Sequence, residues 1–244
     1  MKYRLLLLLL TLTTVKLSFA ADFELGVYEL NRGQFKAALA ELEPLAEEGF
    51  SPAQYQLGMM YKKGYGVIKN QQKSFELLTL AAKQKYADAQ FDLAVMYSEG
   101  EVVEQDLIKA FLLTEKAANQ DLASAQFNLG VMYYQGLGTI KDYYTASKWY
   151  RKAAEQNYAL AQFNLALMYF DGKGLDKSIE MSYIWNTLAS YNGYSDATTS
   201  RDMDAHRMSK AEVKKAQYQA DDMYRIMEKK AEMKRQKASK KTLY

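Results

Sequence analysis

Along most of the chain, apolar and small residues fall into a block that repeats every 36 residues, with segments opening at Ala53, Ala89, Ala125 and Ala161 that each begin Ala-Gln-aromatic. Counting from Ala125, the apolar or small residues Leu129, Gly130, Met132 and Tyr133 lie four, five, seven and eight positions further on. That spacing places them on one face of a helix. Leu57, Gly58, Met60 and Tyr61 are the counterparts in one block, Leu93, Ala94, Met96 and Tyr97 in the next, and Leu165, Ala166, Met168 and Tyr169 in the last. Each set predicts a first helix of about three turns. Repetition at this period marks an array of stacked units, because one unit cannot bury its apolar face alone.

Only Gly or Ala stands at the fifth position, which calls for close approach of a neighbouring helix. Gly64 and Gly66, Gly136 and Gly138, and Gly172 and Gly174 then end the helix where positive φ is needed. The second block keeps Gly100 but has Val102 for the second Gly, so its loop should follow a different path. Second helices are predicted over about Gln72–Lys85, Leu107–Asn119, Tyr143–Gln156 and Glu180–Ser190. Their small residues, Ser74, Ala110, Ala146 and Ser182 and then the pairs Ala81-Ala82, Ala117-Ala118, Ala153-Ala154 and Ala189-Ser190, let units nest. Tyr86, Leu122, Tyr158 and Tyr194 plug the junctions. A fifth, shortened unit precedes these, with Ala21, Phe23, Leu25 and Gly26 in its first helix and no Gly-x-Gly loop.

The two ends read differently. Lys2 and Arg4 precede an apolar run from Leu5 to Leu10 and then Ser18-Phe19-Ala20, the order of a secretory signal peptide over residues 1–20. The run is too short to span a bilayer, and Lys16 interrupts it. After Asp196 the block pattern stops. Ser209-Lys-Ala-Glu212 reads as a capping box, opening a helix whose Val213, Ala216, Ala220, Met223, Met227 and Ala231 form a stripe able to seal the array. The domains are therefore expected as a leader over 1–20, repeats over 21–200, a capping helix over 201–231 and a basic tail over 232–244 in which order fades.

Composition narrows the chemistry. The chain has no Cys, which removes disulfides, thiol catalysis and thiolate metal sites. Its net charge of +3 hides an asymmetry: residues 205–244 carry 12 Lys and Arg against 5 Asp and Glu, so an acidic body ends in a basic tail. A nucleic-acid protein would instead show a basic stripe over the fold itself.

Units of 36 residues with the pattern A-x-x-x-L-[GA]-x-M-Y-x-x-G-x-G and a later Ala-Ala pair resemble Sel1-like repeats, relatives of the tetratricopeptide repeat. The resemblance covers about residues 21–200. It implies an all-α, right-handed α-solenoid of stacked antiparallel helix pairs, and a role as a non-catalytic adaptor, scaffold or regulator. With the leader, it points to the bacterial envelope, most simply the periplasm, with secretion as the alternative. Alignment to the tetratricopeptide pattern implies a groove lined by Tyr55, Met59 and Lys62; Phe91, Val95 and Ser98; Phe127, Val131 and Tyr134; and Phe163, Leu167 and Phe170. That face is apolar and aromatic and suits a protein or peptide partner. Tyr55, Phe91, Phe127 and Phe163 also suit packing between helices, so Met59, Lys62, Tyr134, Leu167 and Phe170, which vary between units, are the stronger contact residues. A carboxylate clamp is excluded: Asn128 and Asn164 are present, but its Lys and second Asn are replaced by Phe and by Val or Leu.

Enzymatic readings find little. His206 is the only His, and neither a Gly-x-Ser-x-Gly elbow nor a phosphate loop is present; Gly172–Ser178 reads as a repeat loop. Glu47-Glu48, Asp202 with Asp204 and Asp221-Asp222 lie in polar stretches and are expected to be solvated. Trp149 and Trp185 share one repeat position, which serves packing or sugar stacking. They keep open a peptidoglycan- or polysaccharide-related enzyme or accessory factor. No cofactor or metal is expected. The basic tail offers contact with an acidic partner or an anionic membrane surface.

Overall fold

Each block begins with an apolar residue in extended conformation at the helix N-cap (Phe50, Tyr86, Leu122, Tyr158) and ends its first helix at a glycine with φ between 71 and 79°. The computed structural model describes residues 22–242, with side chains to Lys237; the leader and Ala21 lie outside them. Among the described residues the chain is all-α, with helices α1 (22–31), α2 (Phe35–Glu47), α3 (Ser51–Lys63), α4 (Gln71–Lys83), α5 (Ala87–Glu99), α6 (Leu107–Ala118), α7 (Ala123–Gln135), α8 (Tyr143–Ala154), α9 (Ala159–Asp171), α10 (Ile179–Tyr191), α11 (Ser195–Ala205) and α12 (Lys210–Thr242). Within each unit consecutive helices pack in pairs, α2 through α5 in the first and α6 through α11 in the second, as the α-solenoid class requires. Two units are distinguished among the described residues, one ending at Asp106 and the other beginning at Leu107, and the division falls at the loop of the second block, where Val102 replaces a glycine and has no positive φ.

In the first unit, Ala38, Leu42, Leu45, Ala53, Leu57, Met60 and Leu77 form the core. In the second, the core runs from Ala146 and Tyr150 through Leu165, Met168 and Trp185 to Ala216, Ala220 and Met227 of α12. The small fifth position is explained by contact: a Cβ on Gly130 would sit 2.6 Å from the Tyr150 ring, and one on Gly58 would sit 3.3 Å from Leu78. The second loop glycine is stricter. A Cβ on Gly138 would lie 2.0 Å from the Leu107 carbonyl oxygen, because the loop lies directly on the first turn of α6.

Junctions between blocks repeat a polar device. The Gln that follows each opening Ala is buried, and its Nε2 donates to an alanine carbonyl at the end of the preceding second helix: Gln54 to Ala46, Gln90 to Ala82, Gln126 to Ala118 and Gln162 to Ala154, at 3.0–3.3 Å. Each of these carbonyls also accepts the backbone N–H three residues on, from Gly49, Lys85, Asp121 or Asn157, so the glutamine supplies a second donor at a helix end. Gln84, Gln156 and Asn192 then donate to the Oε1 atoms of Gln54, Gln126 and Gln162 at 2.8–3.0 Å. The junction residue is left-handed throughout, with Gly49, Lys85, Asp121, Asn157 and Gly193 at φ of 63–90°.

The C-terminal region departs from the expectation that the pattern stops after Asp196. α11 begins at Ser195, 36 residues after Pro-less α9 opens at Ala159, and packs on α10 as another first helix. Ala197 matches Ala161 and is buried. The capping box forms, with Ser209 N–H donating to Glu212 Oε2 (2.7 Å) and Glu212 N–H to Ser209 Oγ (3.3 Å). α12 then continues past Glu232 as one helix, where fading was expected. Its strong helix formers favour this, and Lys234 Nζ anchors it to Asp121 Oδ2 (2.7 Å) and Gln156 Oε1 (2.9 Å).

Candidate functional site

The face of the first helices is best described in each unit separately. In the first, Tyr55 and Lys62 of α3 converge on a residue that sequence reasoning missed, Asp92 of α5. Its carboxylate accepts from the Tyr55 hydroxyl at 3.1 Å and from Lys62 Nζ at 3.3 Å. Burial pushes the Tyr55 hydroxyl well above its ordinary value, and the Asp92 charge adds to the shift. Tyr55 also packs on Tyr86 with ring centroids 5.2 Å apart. Met59, Phe91, Val95 and Ser98 are half-buried. The available signal for Asp92 was its alignment with Asn128 and Asn164, an unbroken polar position beside the aromatic.

In the second unit, Phe127 packs between Tyr150 and Tyr158, and Phe163 against Tyr194. These rings serve the junctions. Val131 is half-buried against the core. Tyr134 lies against the Tyr143 ring at 4.9 Å, and its hydroxyl accepts from Lys173 Nζ at 3.3 Å. Lys173 also pairs with Asp171 at 2.9 Å, and these two hydrogen bonds raise the lysine above its usual range. Phe170 has the Arg207 guanidinium 4.6 Å from its ring centroid and Lys177 at 5.8 Å. Leu167 is 40% exposed. The outer end of this face is therefore aromatic and apolar with a cationic rim.

The candidate chemical groups elsewhere are placed as follows. Asp204, expected to be solvated with Asp202, is buried; this is corrected by its register, since it occupies the position of Met60, Met96, Met132 and Met168 on α11. It accepts from Ser182 Oγ (2.7 Å) and Asn186 Nδ2 (2.9 Å), and burial raises its carboxyl above the usual range against those hydrogen bonds. Asp202 is exposed and paired with Arg201, so the two do not form a carboxylate pair. Trp185 is a core residue, which removes it as a sugar platform, whereas Trp149 is half-buried under the Lys152 ammonium at 3.9 Å. His206 is exposed, with Nδ1 against the Asp202 carbonyl. Among the described residues no group of three or more His, Asp or Glu is placed to hold a metal ion.

Residues 51–86, 87–122, 123–158 and 159–194 match the Sel1 repeat in four consecutive copies. The chain belongs to the Sel1 repeat family. Such Sel1 repeat proteins commonly serve as scaffolds for protein–protein interaction. This one is similar to a protective antigen of uropathogenic Escherichia coli strains displaying the same fold, with TM-score 0.78 and 32% identity over 90% of this chain. It spans about half, 48%, of that antigen. A Sel1 repeat protein of Oxalobacter formigenes gives TM-score 0.69 and 29% identity over 72% of this chain and 70% of its own. One from Klebsiella pneumoniae subsp. pneumoniae, at 17% identity and TM-score 0.51 over 77% of this chain and 93% of its own, shares the fold. No curated protein matches this Sel1 repeat chain.

Proposed function

We propose that this protein is a non-catalytic adaptor or regulator of the bacterial envelope that binds a protein or peptide through the first-helix faces of its repeats. The observation that carries this reading is the contrast within each unit. Positions that recur are consumed by packing, while Met59, Lys62, Tyr134, Leu167 and Phe170 change from block to block on a partly open face. Around Leu167 and Phe170, an apolar anchor with acidic neighbours is the partner segment that fits the surrounding Lys177 and Arg207. Envelope residence is supported by the order of charge, apolar run and small residues over 1–20. The absence of Cys agrees with either side of the inner membrane.

Secretion to engage a host is the second reading, favoured by the similarity to a protective antigen. Crosslinking and mass spectrometry in the native cell, repeated with Tyr134→Ala and Phe170→Ala, tests the main reading. Loss of one captured partner with both variants supports it. A capture profile that neither changes rejects this face. Fractionation of the culture into periplasm and medium separates the two locations.

A further inference from the structure

Each unit exposes one isoleucine at a loop tip. Ile68 is 90% exposed and Ile140 is 87% exposed, at the same repeat position, and each is followed by an exposed lysine, Lys69 or Lys141. In the first unit a Cβ on Gly66 would meet Phe35 of α2 at 2.8 Å, and in the second the same position, Gly138, is pressed on Leu107 of α6, so each tip loop is seated on a helix end.

The surroundings of the tips are amphipathic. In the second unit, Ile108 (65% exposed) and Leu112 stand one turn apart on α6, the helix that carries the tip, and Tyr144 lies on the first turn of α8 with the Lys148 ammonium 4.0 Å from its ring centroid. In the first unit, Tyr65 stacks on Phe35 and stays 38% exposed, and the Lys63 ammonium lies 5.5 Å from its centroid. Lys36 and Lys69 are exposed beside them. Asp142, two residues after Ile140, caps α8 through Thr145.

We propose that these tips are contacts with an anionic lipid surface. Protruding isoleucines favour the boundary between headgroups and acyl chains over a protein groove, since a tip gives little of the area that a specific protein interface needs. The flanking ammonium groups match lipid phosphates. Among the described residues no helix is long and apolar enough to cross a membrane, so the contact is peripheral. It is independent of the first-helix face and of the basic tail.

The test is co-sedimentation of the full chain with vesicles of equal parts phosphatidylglycerol and phosphatidylcholine, and with phosphatidylcholine alone. Comparing variants of one full chain holds the contribution of residues 1–20 constant. Ile140→Ser and Ile68→Ser should each weaken binding to the anionic vesicles about tenfold, and Lys141→Glu several-fold, with melting temperatures unchanged. An isoleucine-dependent component that is absent, or equally strong without phosphatidylglycerol, overturns the proposal. So does binding that survives both serine substitutions but vanishes on removal of residues 232–244. Serine variants that instead dissolve an oligomer without lipid would assign the tips to a second copy of the chain.

Discussion

The junctions between repeats and the open face of the first helices are built from neighbouring residues of the same helices, yet they obey opposite rules. At the junctions Gln54, Gln90, Gln126 and Gln162 recur unchanged, each buried and each satisfying a carbonyl eight residues back. One turn on, the face reads Met59, Val95, Val131 and Leu167, or Lys62, Ser98, Tyr134 and Phe170. Where a side chain has a fixed geometric task, the period preserves it. Where it meets solvent, the period leaves it free to be shaped by something else.

The comparison breaks most visibly if a junction or loop residue proves replaceable. Gly138→Ala should be the most damaging single change, costing more than about 3 kcal/mol, because the new Cβ would overlap the Leu107 carbonyl and the residue holds φ +67°. Thermal unfolding of the variant measures it. Gln162→Leu should cost about 2 kcal/mol, since it removes one of two donors to the Ala154 carbonyl and one of two acceptors of Asn192 Nδ2, leaving the bonds from Asn157 N–H and to the Leu188 carbonyl. A Leu that stabilises the protein would mean that apolar fill, and not the hydrogen bond, holds the junction.

Asp204 sharpens the contrast from within the core, as a polar residue at a position that is Met in four earlier helices. Asp204→Met alone should lose about 2 kcal/mol by stranding Ser182 and Asn186, and most of this should return when Ser182→Ala and Asn186→Leu are added. Its pH dependence has a definite sign. A carboxyl held above its unfolded value contributes stability that is fully present below the unfolded value and lost as pH rises through the folded one. Melting of wild type relative to Asp204→Asn should therefore fall as pH rises above about 4, the ordinary aspartate value. Leu167→Lys should do least to stability, within about 0.5 kcal/mol, while abolishing partner binding.

Much of this architecture was legible because helical periodicity and small residues act locally: the helix pairs, the glycine loops, the different path at Val102 and the capping box at Ser209 all follow from short spacings. α11 was not, since Asp196, Arg201, Asp202 and Asp204 erase the apolar pattern while the packing partner, α10, supplies the compensating polar groups. The junction glutamines were visible as part of the recurring Ala-Gln-aromatic opening, but their task was not, because their partners are carbonyls set by tertiary geometry. The anchoring of α12 through Lys234 and Asp121 links residues 113 apart and has no local signature. Of the candidate face, Tyr55 and Lys62 do come together, but through Asp92, whose role required the spacing of α3 and α5 to be known.

The most direct test of the account places a photo-crosslinking amino acid at Leu167, on the first-helix face, and separately at Leu80, an equally exposed leucine on the second helix α4. Irradiation in the native cell should yield one discrete adduct from position 167 and none from position 80. Adducts from position 80 alone, or the same adducts from both, would contradict the claim that the variable first-helix face is where the partner binds.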